Sequence, residues 1–328
     1  MSSAPDSGYM HFSDVGPSLW GQLIPTSEIR GRNVSSAQLN AAVRNGSLVR
    51  IHRGFYVAGP SWKFLTPEAR YLLKIQAVAR ANPRELTFCH ESAAALHELP
   101  LVTPWPEKVH ISTPEALGGS SQVSITAHTR ANAGESVRVE GLAATSLART
   151  VIDVAAKGPF VNAISVVDAA LRRCGDSFRV TLAAEFERAA LKRGVGRASR
   201  AIGLGDSRAE SVGESLSRAR IHELGFAAPE LQVRFETPGH RYAVDFYWPE
   251  ANVIGEFDGR AKYSRAEFTA GSPAEEVVWR EKQREDALRA ATGARVVRWT
   301  WATAMDAREL GQLLASAGVP AARGPNSH

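Results

Sequence analysis

The chain has 328 residues, 44% hydrophobic and 22% charged, with 39 Lys+Arg against 34 Asp+Glu; wholesale disorder, collagen-like repeats and a disulfide-stapled mini-protein are excluded, and two or three domains are expected. Apolar runs stay short of the roughly 18 residues of a membrane span, and MSSAPDSGYMHF has neither a basic nor an apolar region of a secretory signal, so a cytoplasmic protein without a membrane partner is expected. Cys89 and Cys174 are too few for a disulfide framework or a Cys-based zinc site.

Charge divides along the chain. Residues 1–205 carry 23 Lys+Arg against 16 Asp+Glu, net +7, whereas residues 206–318 carry 15 against 18, net −3. A basic front attracts a polyanion; an acidic back repels nucleic acid unless bound metal neutralises its carboxylates.

The first segment, residues 1–58, reads as a winged helix-turn-helix. Pro25 to Arg30 forms a short capped helix, and Val34 to Leu39 opens a second through a capping box, Ser35 with Gln38, that Gly46 stops. Leu48 to Val57 then reads as strand, tight turn at Arg53-Gly54, and returning strand. The second helix offers Ser36, Gln38, Asn40 and Arg44 to a major groove, and the wing offers Arg50, His52 and Arg53 to phosphates, with no acid between Arg30 and Arg53. A solvated face on a protein-binding module is the alternative.

Residues 59–205 read as a mixed α/β domain. Helices are expected at Pro67–Arg80, His90–Leu99, Ser146–Ala156, Val161–Arg173 and Leu182–Arg193, with strands at Lys108–Ser112 and Gln122–Ala127. His90, His97, His110 and His128 are scattered without metal-ligand spacing and read as structural. Glu185 to Arg200 reads as a helix ending in a flexible basic joint.

Residues 206–318 carry the chemistry, in the order αβββαβ, with 319–328 as a disordered tail. Helices are expected at Val212–Leu224, Ala274–Ala291 and Ala302–Ala317, and strands at Leu231–Glu236, Arg241–Trp248, Asn252–Phe257 and Arg295–Trp299. Alternation puts Val244, Phe246 and Trp248 on one face and Asp245 on the other. A hairpin pairing Trp248 with Val253 makes Asp245 and Glu256 direct cross-strand neighbours, a repulsion that calls for a proton or a cation. Mg2+ (or Mn2+) binds through one or two carboxylates and leaves positions for a phosphate oxygen, which suits phosphodiester hydrolysis. Glu214 is placed to supply a third carboxylate, and Lys262 or Lys282 the cation that stabilises developing phosphorane charge. Ordinary surface carboxylates are the alternative for the acids, and an i,i+4 ion pair with Asp286 is the alternative for Lys282.

These residues carry a resemblance. Gly213-Glu214-Ser215, Val244-Asp245-Phe246, Gly255-Glu256-Phe257-Asp258-Gly259 and Val297-Arg298-Trp299 resemble the PD-(D/E)XK nuclease superfamily, especially the branch of very-short-patch repair endonucleases. The resemblance implies a restriction-endonuclease-like fold, Asp245, Glu256 and Glu214 as metal ligands, and the Phe257 carbonyl at the metal. It departs where Asp258 occupies the position of the motif lysine, which leaves that role to Lys262 or Lys282. The first 205 residues resemble AbiEi-type antitoxins and regulators, on Arg53-Gly54-Phe55-Tyr56-Val57, the run His90 to Leu101, and Thr145 to Asp153. That likeness implies promoter binding, autorepression and a cognate toxin as partner. Two functions are therefore expected as alternatives: a Mg2+-dependent DNA endonuclease, or a repressor or antitoxin-like regulator on an inactive nuclease fold.

Overall fold

The structure, a computed structural model, describes residues 19–114, 123–130, 136–237, 240–259, 283–284 and 286–322. Lys262, Lys282 and residues 274–282 of the helix expected at 274–291 lie outside the described residues. The described chain is a mixed α+β protein with three sheets. It divides into two compact units, Met1–Gly158 with Ser177–Ile202 and Pro159–Asp176 with Gly203–His328, so the helix expected at 161–173 groups with the C-terminal unit. Among the described residues no helix is long and apolar enough to cross a membrane.

The first unit begins with β1 (Ile24–Pro25), α1 (Thr26–Gly31), α2 (Ser36–Arg44), β2 (Leu48–His52) and β3 (Phe55–Ala58), the strands ordered β1-β3-β2. Helix α2 starts where the capping box places it. Ser35 Oγ accepts the Gln38 N–H at 3.2 Å, and Gln38 Oε1 accepts the Ser35 N–H at 2.8 Å. Ile29, Leu39 and Tyr56 form the small core that holds both helices on the hairpin.

Helices α3 (Gly59–Phe64) and α4 (Pro67–Ala81) lead into a second sheet of β4 (Thr87–Phe88), β5 (Val109–Pro114), β6 (Ile125–Arg130), β7 (Ser136–Val139) and β8 (Leu142–Thr145). Its order is β6-β5-β4-β8-β7, and α5 (His90–Leu96) follows β4 directly. Apolar residues of α4 at helical spacing, Leu72, Ile75 and Val78, pack in one core with Phe88, Val109 and Ile111. Beyond α6 (Leu147–Lys157), α7 (Phe160–Cys174) belongs to the second unit, and α8 (Phe178–Ala189) and α9 (Val195–Leu204) follow.

The segment 185–200 departs from the expected single helix with a flexible end. Ala190 (φ 44°) and Gly194 (φ 74°) adopt left-handed conformations that stop α8 and start α9, and Arg197 fixes the turn by donating to the Lys157 and Gly158 carbonyls at 3.2 and 2.8 Å. Buried Arg149 pairs with Asp153 at 3.1 Å and Glu185 at 3.6 Å, which joins α6 to α8.

In the second unit, α10 (Val212–Glu223) packs with α7, where Asp168 is fully buried and accepts from Arg218 and from the Asp206 N–H. The sheet contains β9 (Glu230–Thr237), β10 (His240–Trp248), β11 (Val253–Asp258) and β12 (Arg295–Thr300), in the order β12-β11-β10-β9. β10 is antiparallel to both neighbours, while β11 and β12 run parallel. Residues 286–292 are helical, and Leu288 packs with Val244, Ile254 and Val296. Phe246 and Trp248 instead stack with each other, and Phe246 stacks on Trp299 at 5.2 Å. The expected alternation thus fails at Val244: beside Asp245, Gln232 takes a left-handed conformation (φ 53°) inside β9, and the Asp245–Gln232 pair drops out of a ladder that otherwise keeps its register.

Two further expectations change at the C-terminus. The closing helix is broken into α11 (Trp301–Met305) and α12 (Ala307–Ala317), because the Asp306 carboxylate caps the second by accepting the Arg308 and Glu309 N–H groups. The stretch expected as a tail from residue 319 is held through Ala322, since Ala321 bridges Phe226 and the Ala322 N–H reaches the Gly225 carbonyl at 2.7 Å.

Candidate functional site

Three acids meet where α10, β10 and β11 approach one another. Their closeness begins with two glycines. A Cβ at Gly213 would overlap the Phe257 ring, and one at Gly255 would crowd Trp299, so both positions let α10 and the sheet close up. Ser211 caps α10 by accepting the Glu214 N–H at 3.1 Å, and donates to Glu214 Oε1 at 2.7 Å. Glu214 Oε2 accepts from the Glu210 N–H at 2.9 Å and from Gln232 Nε2 at 3.1 Å. The same Gln232 amide donates to Asp245 Oδ1 at 3.4 Å, and its left-handed backbone aims it there.

The hairpin register is the expected one for Trp248↔Val253, Tyr247↔Ile254 and Phe246↔Gly255, and it stops one pair short of Asp245 and Glu256. Asp245 Oδ2 accepts the Phe257 N–H at 2.9 Å instead. Burial raises Asp245 to about 6, with the Glu256 charge adding to the rise against the Phe257 hydrogen bond. Burial and the Asp245 charge raise Glu214 to about 7. Each acid lies within the field of the next, although their side chains arrive from different elements.

Glu256 differs from its neighbours. Its oxygens face Arg284 Nη2 at 2.8 Å and Arg298 Nε at 3.3 Å. Arg298 is its register partner on β12, and Arg284 also donates to the Ala243 carbonyl at 2.7 Å. Sequence reading missed Gln232, Arg284 and Arg298. Arg298 was findable, because parallel pairing of Gly255-Glu256-Phe257 with Val297-Arg298-Trp299 sets the two charges side by side; Gln232 carries no such signal, since its role depends on a backbone conformation.

The residues expected to face DNA are placed as follows. Ser36, Gln38, Asn40, Arg44, Arg50 and Arg53 are exposed on α2 and the hairpin. Gln38 is committed to the capping box. His52 is half-buried, with Nε2 3.1 Å from Ser124 Oγ and Nδ1 3.2 Å from the Arg53 carbonyl.

A second cluster gathers three of the four histidines expected to be scattered, while His97 stays structural with its Nε2 2.8 Å from the Thr145 carbonyl. β4 running into α5 presents Cys89 and His90; the antiparallel β4–β5 pairing sets His110 beside Cys89, whose N–H donates to the His110 carbonyl at 3.1 Å, and the parallel β5–β6 pairing adds His128. The His90 and His128 rings stack at 3.7 Å, and His110 lies 5.1 Å from His128.

No protein-family model matches the chain. Two curated relatives from Mycobacterium tuberculosis strains, uncharacterized proteins MT2308 and Rv2248, are each 32% identical over 224 residues, 67% of this chain and 77% of theirs. The chain belongs to their family. Among solved structures, the RV2827C protein of Mycobacterium tuberculosis aligns over 60% of this chain and 82% of its own, at 16% identity and a TM-score of 0.33.

Proposed function

We propose that the protein is a DNA-binding, Mg2+- or Mn2+-dependent endonuclease. Its restriction-endonuclease-like site lies in the second unit, and its winged helix-turn-helix, built from α1, α2 and the β2–β3 hairpin, contacts DNA. The observation that carries the reading is the convergence of Glu214 and Asp245 on one Gln232 amide, with both acids raised by burial and by negative neighbours.

The residues fit a hard divalent cation. Buried carboxylates that repel one another are stabilised by an ion that takes oxygen ligands, and Mg2+ needs only one or two of them. Asp245 and Glu214 would hold it, with Glu256 completing the set on exchange of its arginine partners. Bound there, the ion supplies Lewis-acid polarisation of a phosphodiester and a nucleophilic water at neutral pH. The chain's own residues do the rest. The Phe257 N–H fixes Asp245, Ser211 and Gln232 orient Glu214, and Arg284 and Arg298 stand beside Glu256 as cations for phosphate charge. Arginine supplies that charge without acting as a base, so it replaces only the electrostatic part of the lysine role that Asp258 vacates.

The regulator reading has its own support. The two arginines on Glu256 neutralise one of the three acids without metal, as a retained scaffold would. Purified protein incubated with plasmid and short duplexes in Mg2+ or Mn2+, beside EDTA and Asp245→Asn, separates the two. Metal-dependent cleavage lost in the variant is the expected result; binding without cleavage on every substrate establishes the regulator.

A further inference from the structure

We propose that Cys89, His90 and His128 form a site for a zinc-class transition-metal ion in the first unit, separate from the carboxylate site. Cys89 Sγ and one ring nitrogen from each histidine all lie within 4.8 Å of one another. Tetrahedral zinc with Zn–S of about 2.3 Å and Zn–N of about 2.0 Å sets its ligand atoms roughly 3.5 Å apart, a spacing this cluster reaches by turning one ring. The Cys89 Sγ to His90 Nδ1 distance is already 3.3 Å. A thiolate with two imidazoles selects zinc-class ions over Mg2+, which prefers oxygen.

The fold spends conformational energy to make this cluster. His90 holds a left-handed backbone (φ 51°) at the first position of α5, a conformation uncommon outside glycine that turns consecutive Cys89 and His90 toward one place. β6 pairs in parallel with β5 and delivers His128 through Ser112↔His128. Beside them, His110 Nδ1 meets Glu91 Oε2 at 2.7 Å. Held by that carboxylate, His110 packs against the His128 and His90 rings at 5.1 and 6.0 Å and restricts how they can turn.

The stacked His90 and His128 rings are 20° from parallel, so their lone pairs run side by side rather than to one point. Uptake of the ion therefore turns the half-buried His128 ring out of the stack and sends the Cys89 thiol proton to solvent. Three protein ligands leave a fourth position for water, the coordination of a site that also exchanges ligands.

Titration of tag-free protein with Co2+ tests the site by absorbance. The expected result is one thiolate-ligated Co2+ per chain, counted from the saturation of a thiolate-to-cobalt charge-transfer band and tetrahedral visible bands that Zn2+ bleaches, whatever further Co2+ the carboxylate site takes. Cys174→Ser, at an exposed thiol, leaves the spectrum intact, and Cys89→Ser abolishes the charge-transfer band. Cys89 is wholly buried, so its replacement can unfold the unit; His128→Gln, checked for folding by circular dichroism, keeps the test decisive and is expected to weaken Co2+ by about ten-fold or more. No thiolate band at excess metal, a band that follows Cys174, or unchanged affinity in folded His128→Gln would each overturn the proposal.

Discussion

Asp245 on β10 accepts the main-chain N–H of Phe257 on β11 at 2.9 Å, so the strand that carries Glu256 fixes its neighbouring acid through backbone rather than side chain. That bond favours the ionised carboxylate, while burial and Glu256 oppose it, and burial dominates. Asp245 is thus held in position yet poorly compensated in charge. Asp245→Asn keeps the shape and removes the charge. Two outcomes are expected together: cleavage falls by more than the roughly 10- to 100-fold that loss of a supporting group costs, and DNA affinity at constant salt stays unchanged. Cleavage rates and fluorescence-anisotropy binding, measured side by side, check it; parallel loss of both would place Asp245 in the DNA interface instead.

Stability should depend on pH with a definite sign. Glu214 rises from 4.5 to about 7 and Asp245 from 3.8 to about 6 on folding. Between the unfolded and folded values the native state holds protons that the unfolded chain has released, so stability falls as pH rises through that window, and the full penalty applies above about 7. Glu68, raised to about 7 mainly by burial and then by Glu98, adds a background of the same sign. The diagnostic quantity is therefore the difference between wild type and Glu214→Gln. Thermal denaturation in EDTA should show the wild type losing more stability than the variant between about pH 5 and about pH 8. Mg2+ should restore wild-type stability more at the higher pH.

The arginine pair on Glu256 yields a test that separates metal binding from a scaffold. Glu256 is 8% exposed, so removing either cation leaves a buried carboxylate less compensated. Arg298→Met should cost about 1–3 kcal/mol in EDTA, read from urea denaturation. If Glu256 takes a divalent ion once an arginine leaves, Mg2+ recovers part of that loss; an equal loss with and without Mg2+ favours the scaffold.

The sequence revealed much of this geometry because strands of period two and a four-residue connection dictate a register. Trp248↔Val253 follows from the loop alone, and the order of helices and strands from Val212 onward follows from apolar patterning and caps. Failures occur where one backbone angle decides. Gln232 at φ 53° interrupts the β9–β10 ladder where Val244 turns to the Leu288 side, and it carries an amide to two acids; a glutamine inside a strand announces none of this. Likewise Cys89, His90, His110 and His128 meet through the β4–β5 and β5–β6 pairings and the left-handed His90, none of which the local sequence pattern announces. The break at Asp306 was closer to reach, since an acid followed by Glu309 three residues later is a helix-start signal inside an apparently continuous helix.

Residues on α2 and the hairpin should contribute to DNA binding in different currencies. Arg50 and Arg53 are exposed on the wing, so their effect should be electrostatic. Each neutralisation to Gln should reduce the slope of log K against log salt by about one phosphate contact, uniformly across sequences. Asn40 and Ser36, exposed on α2, should change preference among sequences while leaving that slope intact. Gln38 belongs to neither class: its carbonyl oxygen holds the Ser35 N–H at 2.8 Å, so Gln38→Ala should lower stability of the α2 segment by up to about 1 kcal/mol, with any loss of affinity following from that. Binding isotherms at several salt concentrations, with thermal denaturation of the same variants, resolve the three behaviours. An unchanged slope on double neutralisation of Arg50 and Arg53 would remove the wing from the interface and leave α2 as the only contact of this module.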